Sequence, residues 1–191
     1  MNNIKITATV IKSLKGKEPI SSLTAYDYPT ALLLGKAGIH IVLVGDSLGM
    51  VVLGYPDTTF VTVEEIIHHT RAVARSKINS LIAADMPYKS YDTVEDAVRN
   101  SKKLIQAGAE GVKLEGGRSI ISQVRAIIDE GIPVIGHLGM LPQHIVEEGG
   151  YRIKGRMEEE KNALLEDAKS LEEAGIFAIV LELVSAPVAA E

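Results

Sequence analysis

Six short apolar runs recur along the chain, each followed by a stretch with helical periodicity. They are SSLTAY (21–26), HIVLVG (40–45), SLIAAD (80–85), EGVKLE (110–115), IPVIGH (132–137) and FAIVLEL (177–183). The runs are rich in β-branched residues and mostly continuous rather than alternating, which is how strands of a parallel sheet covered on both faces read. Helices are predicted over 28–37 after Asp27, 63–76 after Thr62, 94–107 after Thr93, 119–130 and 158–174. Glu64 and Glu65 fall in a first turn, where the helix dipole favours acidic side chains.

The segments KAGIHIV, QAGAEGVK, DEGIPVI and EAGIFAIV repeat one device. A helix closes on glycine and the next strand begins almost at once. Repeated βα units with right-handed crossovers favour an α/β fold of the (β/α) barrel type over a doubly wound sheet. No GxGxxG follows the first strand, which weakens a dinucleotide-binding alternative. Two connections are long, 46–61 and 138–157. Both follow strand C-terminal ends, the end at which barrel enzymes place their sites.

Polar residues gather at those same ends: Asp27, Asp46 with Ser47, Asp85, Lys113 with Glu115, His137 and Glu182. In a barrel these positions share one mouth. Asp46, Asp85 and Glu115 are three carboxylates without a cysteine or HxxxH partner, a set suited to a hard cation such as Mg²⁺. Singly, Asp46 could cap a short helix and Asp85 could form a turn. Lys113 and Glu115, two apart, share a strand face. Lys113 is open to two readings, substrate ligand or structural ion pair. Ser47 is a substrate donor or a helix cap. Glu182 stands in an almost wholly apolar strand, where burial would raise its pKa and suit a general base. His137 either orients substrate or is a satisfied core histidine. His68 and His69 lie mid-helix and read as structural. His144, Glu147 and Glu148 form no zinc-protease signature. Gly116-Gly117 is a phosphate loop or a tight turn.

Composition narrows the field. The chain of 191 residues is 46% hydrophobic and 24% charged with net charge −5, which suits a single domain, 1–191, with a substantial core. Lys and Arg are scattered and Trp is absent, so neither a phosphate-binding stripe nor a base-stacking platform is present. The absence of cysteine removes disulfides and thiolate chemistry. No apolar run approaches the roughly 20 residues a membrane helix needs. A cytoplasmic protein with no nucleic-acid or membrane partner is expected.

The strings LTAYDYPTA (23–31), VLVGDSLGMVVLGY (42–55), VTVEEIIHHTRAV (61–73), ADMPY (84–88), VKLEGG (112–117), GHLGMLPQ (136–143), GGYRIKGR (149–156) and VLELV (180–184) resemble, in order and spacing, the ketopantoate hydroxymethyltransferase family. The resemblance implies a phosphoenolpyruvate/pyruvate-like (β/α)8 barrel. It further implies Mg²⁺-assisted addition of a hydroxymethyl group from 5,10-methylenetetrahydrofolate to 3-methyl-2-oxobutanoate (2-oxoisovalerate). The product would be 2-dehydropantoate (ketopantoate), on the route to pantothenate. Carried over, Asp46 and Asp85 are metal ligands, and Glu115 is a third acidic member acting through water. Asp46, Ser47, Asp85, Lys113 and His137 bind substrate, and Glu182 is the base. The family resemblance also implies a homo-oligomer, a decamer.

This chain departs from the family pattern at Phe60 and Leu141. Its sequence stops after the sixth run, so the expected barrel is truncated, without the last two βα units. Two other readings stay open: a Mg²⁺-dependent 2-oxo acid lyase or mutase on a related barrel, and a catalytically inactive fragment.

Overall fold

The computed structural model describes residues 4–145 and 149–191. Glu147 and Glu148, which the sequence excludes from a zinc-protease signature, lie outside the described residues. Six parallel strands, β1 (Ser22–Thr24), β2 (Ile41–Val44), β3 (Leu81–Asp85), β4 (Gly111–Glu115), β5 (Val134–Gly139) and β6 (Ala178–Glu182), pair in sequence order. The main crossover helices are α2 (Tyr28–Ala37), α4 (Val63–Ala74), α5 (Val94–Ala107), α6 (Ile121–Asp129) and α7 (Glu158–Ala174). The sheet is an open, curved section of a TIM-type barrel, with β1 and β6 as its edges.

Local chemistry accounts for the element boundaries. Thr62 and Glu65 form a reciprocal capping box at the start of α4, satisfying two otherwise orphaned N–H groups. Helices α2, α5 and α7 end on Gly38, Gly108 and Gly175, each with left-handed backbone. A side chain at Gly108 would also collide with Ala74, so this glycine lets α5 pack against the end of α4. Among the described residues, the short helices α1 (Ala8–Leu14), α3 (Leu48–Val51) and α8 (Ala186–Ala189) escaped the periodicity argument. Each is too short to show a sustained 3.6-residue repeat.

The two strand faces build two separate cores. Val42, Val44, Ile82, Ala84, Val112, Leu114, Val134 and Leu138 point outward and pack under the helices. Ile41, Leu81, Ala83 and Ile135 point inward, and Ile11 of α1 closes over them together with Ile6 and Phe177. Burying a side chain such as Ile11 contributes roughly 1.5–3 kcal/mol. Below this plug, the Ile6 N–H donates to Asn79 O and Lys5 Nζ reaches Ser80 O at 2.6 Å and Glu110 Oε2 at 2.6 Å. The N-terminal end of the interior is therefore apolar and sealed. The polar inward positions are left at the opposite end.

Candidate active site

Strand register brings the chemistry together. Asp85 of β3 is the register partner of Lys113 of β4, and Glu115 of β4 is the partner of His137 of β5. Parallel partners point to the same side, so all four side chains face the interior above the apolar floor. All four are buried, as is Asp46 at the end of β2.

Lys113 Nζ stands 2.7 Å from Asp85 Oδ1. The contact is an ion pair by distance but is not aligned as a hydrogen bond, and Asp85 Oδ1 is left without a well-directed donor. Asp85 Oδ2 accepts the Asp46 N–H at 3.0 Å, joining β2 to β3 at the mouth. Burial first, and then the neighbouring Asp85 charge, push the Asp46 carboxyl up to about 7. Lys113 pulls it the other way. Burial alone would depress the Lys113 ammonium, but Asp85, Asp46 and Glu115 outweigh it and raise its pKa.

His137 lies between two carboxylates. Its Nδ1 is 3.4 Å from Glu115 Oε1 and its Nε2 is 3.3 Å from Glu182 Oε2. Burial opposes the charged imidazole, yet the flanking carboxylates prevail and raise its pKa. Neither ring nitrogen makes a well-aligned hydrogen bond. Glu182 itself departs from expectation. Its side chain is 36% exposed, because β6 is an edge strand paired only with β5. It reaches the interior from the rim instead of being buried in it.

The other expected site residues divide. Ser47 does not cap α3 with its side chain. Its Oγ lies 2.8 Å from Tyr26 OH at the mouth. Asp27 does not join the site, because its Oδ1 accepts the Thr30 N–H at 2.7 Å and caps α2. His69 is structural as expected, with Nδ1 2.6 Å from Tyr26 O. The Gly116-Gly117 turn is not open to a phosphate, because Asp167 accepts the Arg118 N–H at 3.0 Å and fills that space. Phe60 is exposed and packs against Tyr55. Leu141 lines a cavity of about 460 Å³ that also touches Glu115 and Tyr91.

Two residues were missed. Gln143 is buried among the carboxylates, with its Nε2 at 2.8 Å from Asp46 Oδ2 and its N–H at 3.1 Å from Glu115 Oε2. Tyr91 donates to Gln143 Oε1 at 2.7 Å. Neither residue ends a strand, so the positional argument that found the others passed over them.

The fit to a cation can be judged from these contacts. Among the described residues, no ready-made cluster of three His, Asp or Glu ligands is present. Protein donors separate the three carboxylates, since Lys113 lies on Asp85 and Gln143 lies on both Asp46 and Glu115. What remains is an adjacent pair, Asp46 and Asp85, with an incompletely satisfied Asp85 oxygen. An oxygen-only pair completed by water suits Mg²⁺, which is usually held by one or two carboxylates. The residues fit the ion in that mode, with Glu115 behind the pair.

A family model described as ketopantoate hydroxymethyltransferase matches residues 5–191. The chain belongs to the ketopantoate hydroxymethyltransferase family. It is 55% identical over 181 residues to the 3-methyl-2-oxobutanoate hydroxymethyltransferase of Ignicoccus hospitalis, covering 94% of this chain and 69% of that one. The Pyrococcus abyssi enzyme of the same name is 54% identical over 186 residues, covering 97% and 66%. The chain thus spans about two thirds of the length of these hydroxymethyltransferases.

Solved structures of similar shape include phosphonopyruvate hydrolase in complex with oxalate and Mg²⁺. That match has TM-score 0.71 and 14% identity, covering 94% of this chain and 63% of that one. Another is 2,3-dimethylmalate lyase, a member of the PEP mutase/isocitrate lyase superfamily, with TM-score 0.69 and 16% identity, covering 97% and 64%. At such identities the likeness shows a shared fold. No described helix of this family member is long and apolar enough to cross a membrane.

Proposed function

We propose that this chain carries the active site for hydroxymethyl transfer from 5,10-methylenetetrahydrofolate to 3-methyl-2-oxobutanoate, giving 2-dehydropantoate and tetrahydrofolate. The observation that carries the reading is the meeting of Asp46, Asp85, Lys113, Glu115, His137 and Glu182 at one end of the sheet, in a chain of this family. Asp46 and Asp85 would hold Mg²⁺, with Glu115 acting through water. When bound, the ion would draw negative charge onto the 2-oxo oxygen as C3 is deprotonated. Lys113, raised and buried, stays cationic and offers a fixed positive charge to the substrate carboxylate or oxo group. Ser47 supplies a hydroxyl beside it.

Glu182 accepts the C3 proton. Its place at the rim keeps it in contact with the space above the floor, while His137 behind it orients the carboxylate. The carbon that loses this proton forms the new bond to the folate methylene carbon, and the two C–N bonds holding that carbon to the folate break. Water supplies the hydroxyl oxygen of the product, and the C3 proton and the remaining water proton end on the two nitrogens of tetrahydrofolate. The cavity beside Glu115 has the volume of a small-molecule site and gives the folate room next to the oxo acid. The same reading places the enzyme in the cytoplasm as a homo-oligomer, a decamer.

Deuterium uptake at C3 of 3-methyl-2-oxobutanoate isolates the proton-transfer step from the folate step. With Mg²⁺ and no folate, the wild-type chain should exchange this proton. The E182Q variant should bind the metal but lose exchange by about 100-fold or more, the scale of a general base. Wild-type exchange by E182Q would remove Glu182 as the base. Ketopantoate formation that persists without methylenetetrahydrofolate would overturn the transferase reading.

A further inference from the structure

Gln143 touches two of the three buried carboxylates and comes from the 3₁₀ turn Pro142–His144, outside every strand. Its amide orientation follows from its neighbours. One amide atom lies 2.9 Å from Met86 O, a backbone carbonyl that can only accept, and 2.8 Å from Asp46 Oδ2. That atom must be the nitrogen, donating one proton to each. The oxygen then faces Tyr91 OH at 2.7 Å, which must donate to it. Reversing the amide would set its oxygen against the Met86 carbonyl and the Asp46 carboxylate and lose both contacts. The Gln143 backbone N–H donates to Glu115 Oε2, so one residue spans both carboxylates. All of this is buried, where an unmade hydrogen bond is costly.

We propose that Tyr91 and Gln143 form an orientation lock for the metal-binding carboxylates: Tyr91 fixes the Gln143 amide, and the amide fixes the rotation of Asp46. They are positioning residues. The inference rests on the reading that Asp46 holds Mg²⁺. Fixing Asp46 before the ion arrives removes an ordering cost from binding, the role that outer hydrogen-bond partners play at metal sites. Tyr91 OH also lies 3.2 Å from Glu115 O, but that backbone carbonyl does not set the rotation of Asp46. Tyr91 reaches the Asp46 side chain through Gln143, so the two contributions to its orientation should not add.

The test is Mg²⁺ binding by titration calorimetry on the whole chain, with the metal-free Tm as a control. In Q143M, a substitution of similar length that removes both donors, the Mg²⁺ dissociation constant should rise about 10–100-fold. Y91F, which keeps the ring and loses one hydroxyl, should weaken Mg²⁺ several-fold while the chain stays folded, its Tm lowered only by the cost of one unmade buried hydrogen bond. It should have no further effect in the Q143M background. A Y91F dissociation constant equal to that of the wild type, or additive losses in the double variant, would overturn the lock while leaving the metal site standing. Y91F decides the matter even if Q143M does not fold. Failure of the wild-type chain to bind Mg²⁺ would overturn the lock and the metal assignment together.

Discussion

Lys113 is buried against Asp85, and removing it strands that carboxylate in the interior. Breaking a buried pair from one side typically costs about 3–5 kcal/mol. K113M should therefore lose stability on that order in urea unfolding, well beyond the effect of an exposed lysine. Asp46 sets a pH dependence of its own. Its folded pKa, about 7, lies above the ordinary carboxyl value, so the folded state holds the proton more tightly than the unfolded chain. That stabilisation is complete below the unfolded value near 3.8 and is lost as pH rises through about 7. Metal-free protein should thus lose stability between pH 5 and 8 more steeply than D46N, as read from parallel urea titrations. Equal slopes would show that burial does not hold the proton on Asp46.

At the scale of elements, Gly139 ends β5 as the register partner of Glu182. Its φ is +95°, and a Cβ there would strike the Glu182 carbonyl oxygen. G139A should cost more than about 2 kcal/mol from backbone strain and collision combined, and should misplace Glu182, so that proton exchange falls along with the melting temperature. The helix start at Thr62 is a milder test. T62A should cost about 1 kcal/mol, the usual value for losing such a cap.

These contrasts explain what the sequence could show. Strand and helix positions were legible because the hydrophobic period and the glycine stops are local. Lys113 and Glu115 were legible because two-residue spacing on a strand fixes a shared face. Gln143 was not, because its role depends on a turn whose path no local pattern encodes. The partial exposure of Glu182 was not drawn from the sequence either: its apolar neighbours suggest burial, although an expected barrel section of six strands already makes the sixth an edge, as the sheet order bears out.

At the scale of the whole sheet, β1 and β6 are edges without a second partner strand among the described residues. Leu23 on β1 and Val180 and Leu181 on β6 are exposed apolar residues beside open backbone groups. Such edges promote strand-to-strand association. L181K should raise the protein concentration at which light scattering detects self-association. An unchanged threshold would place the contact elsewhere on the surface. At the far end of the interior, α1 seals the floor, and I11A should cost about 2–4 kcal/mol by opening a cavity among Ile41, Leu81 and Ile135.

That sealed apolar floor has an electrical consequence. The floor offers the buried groups no charged or polar partner from below, so their charges must be balanced at the mouth and along the open side between β1 and β6. Fully ionised, Asp46, Asp85, Glu115 and Glu182 outnumber the cationic Lys113 and His137 by two negative charges. A divalent ion held as proposed above would bring the sum to neutrality, and without one a proton on Asp46 offsets part of the excess.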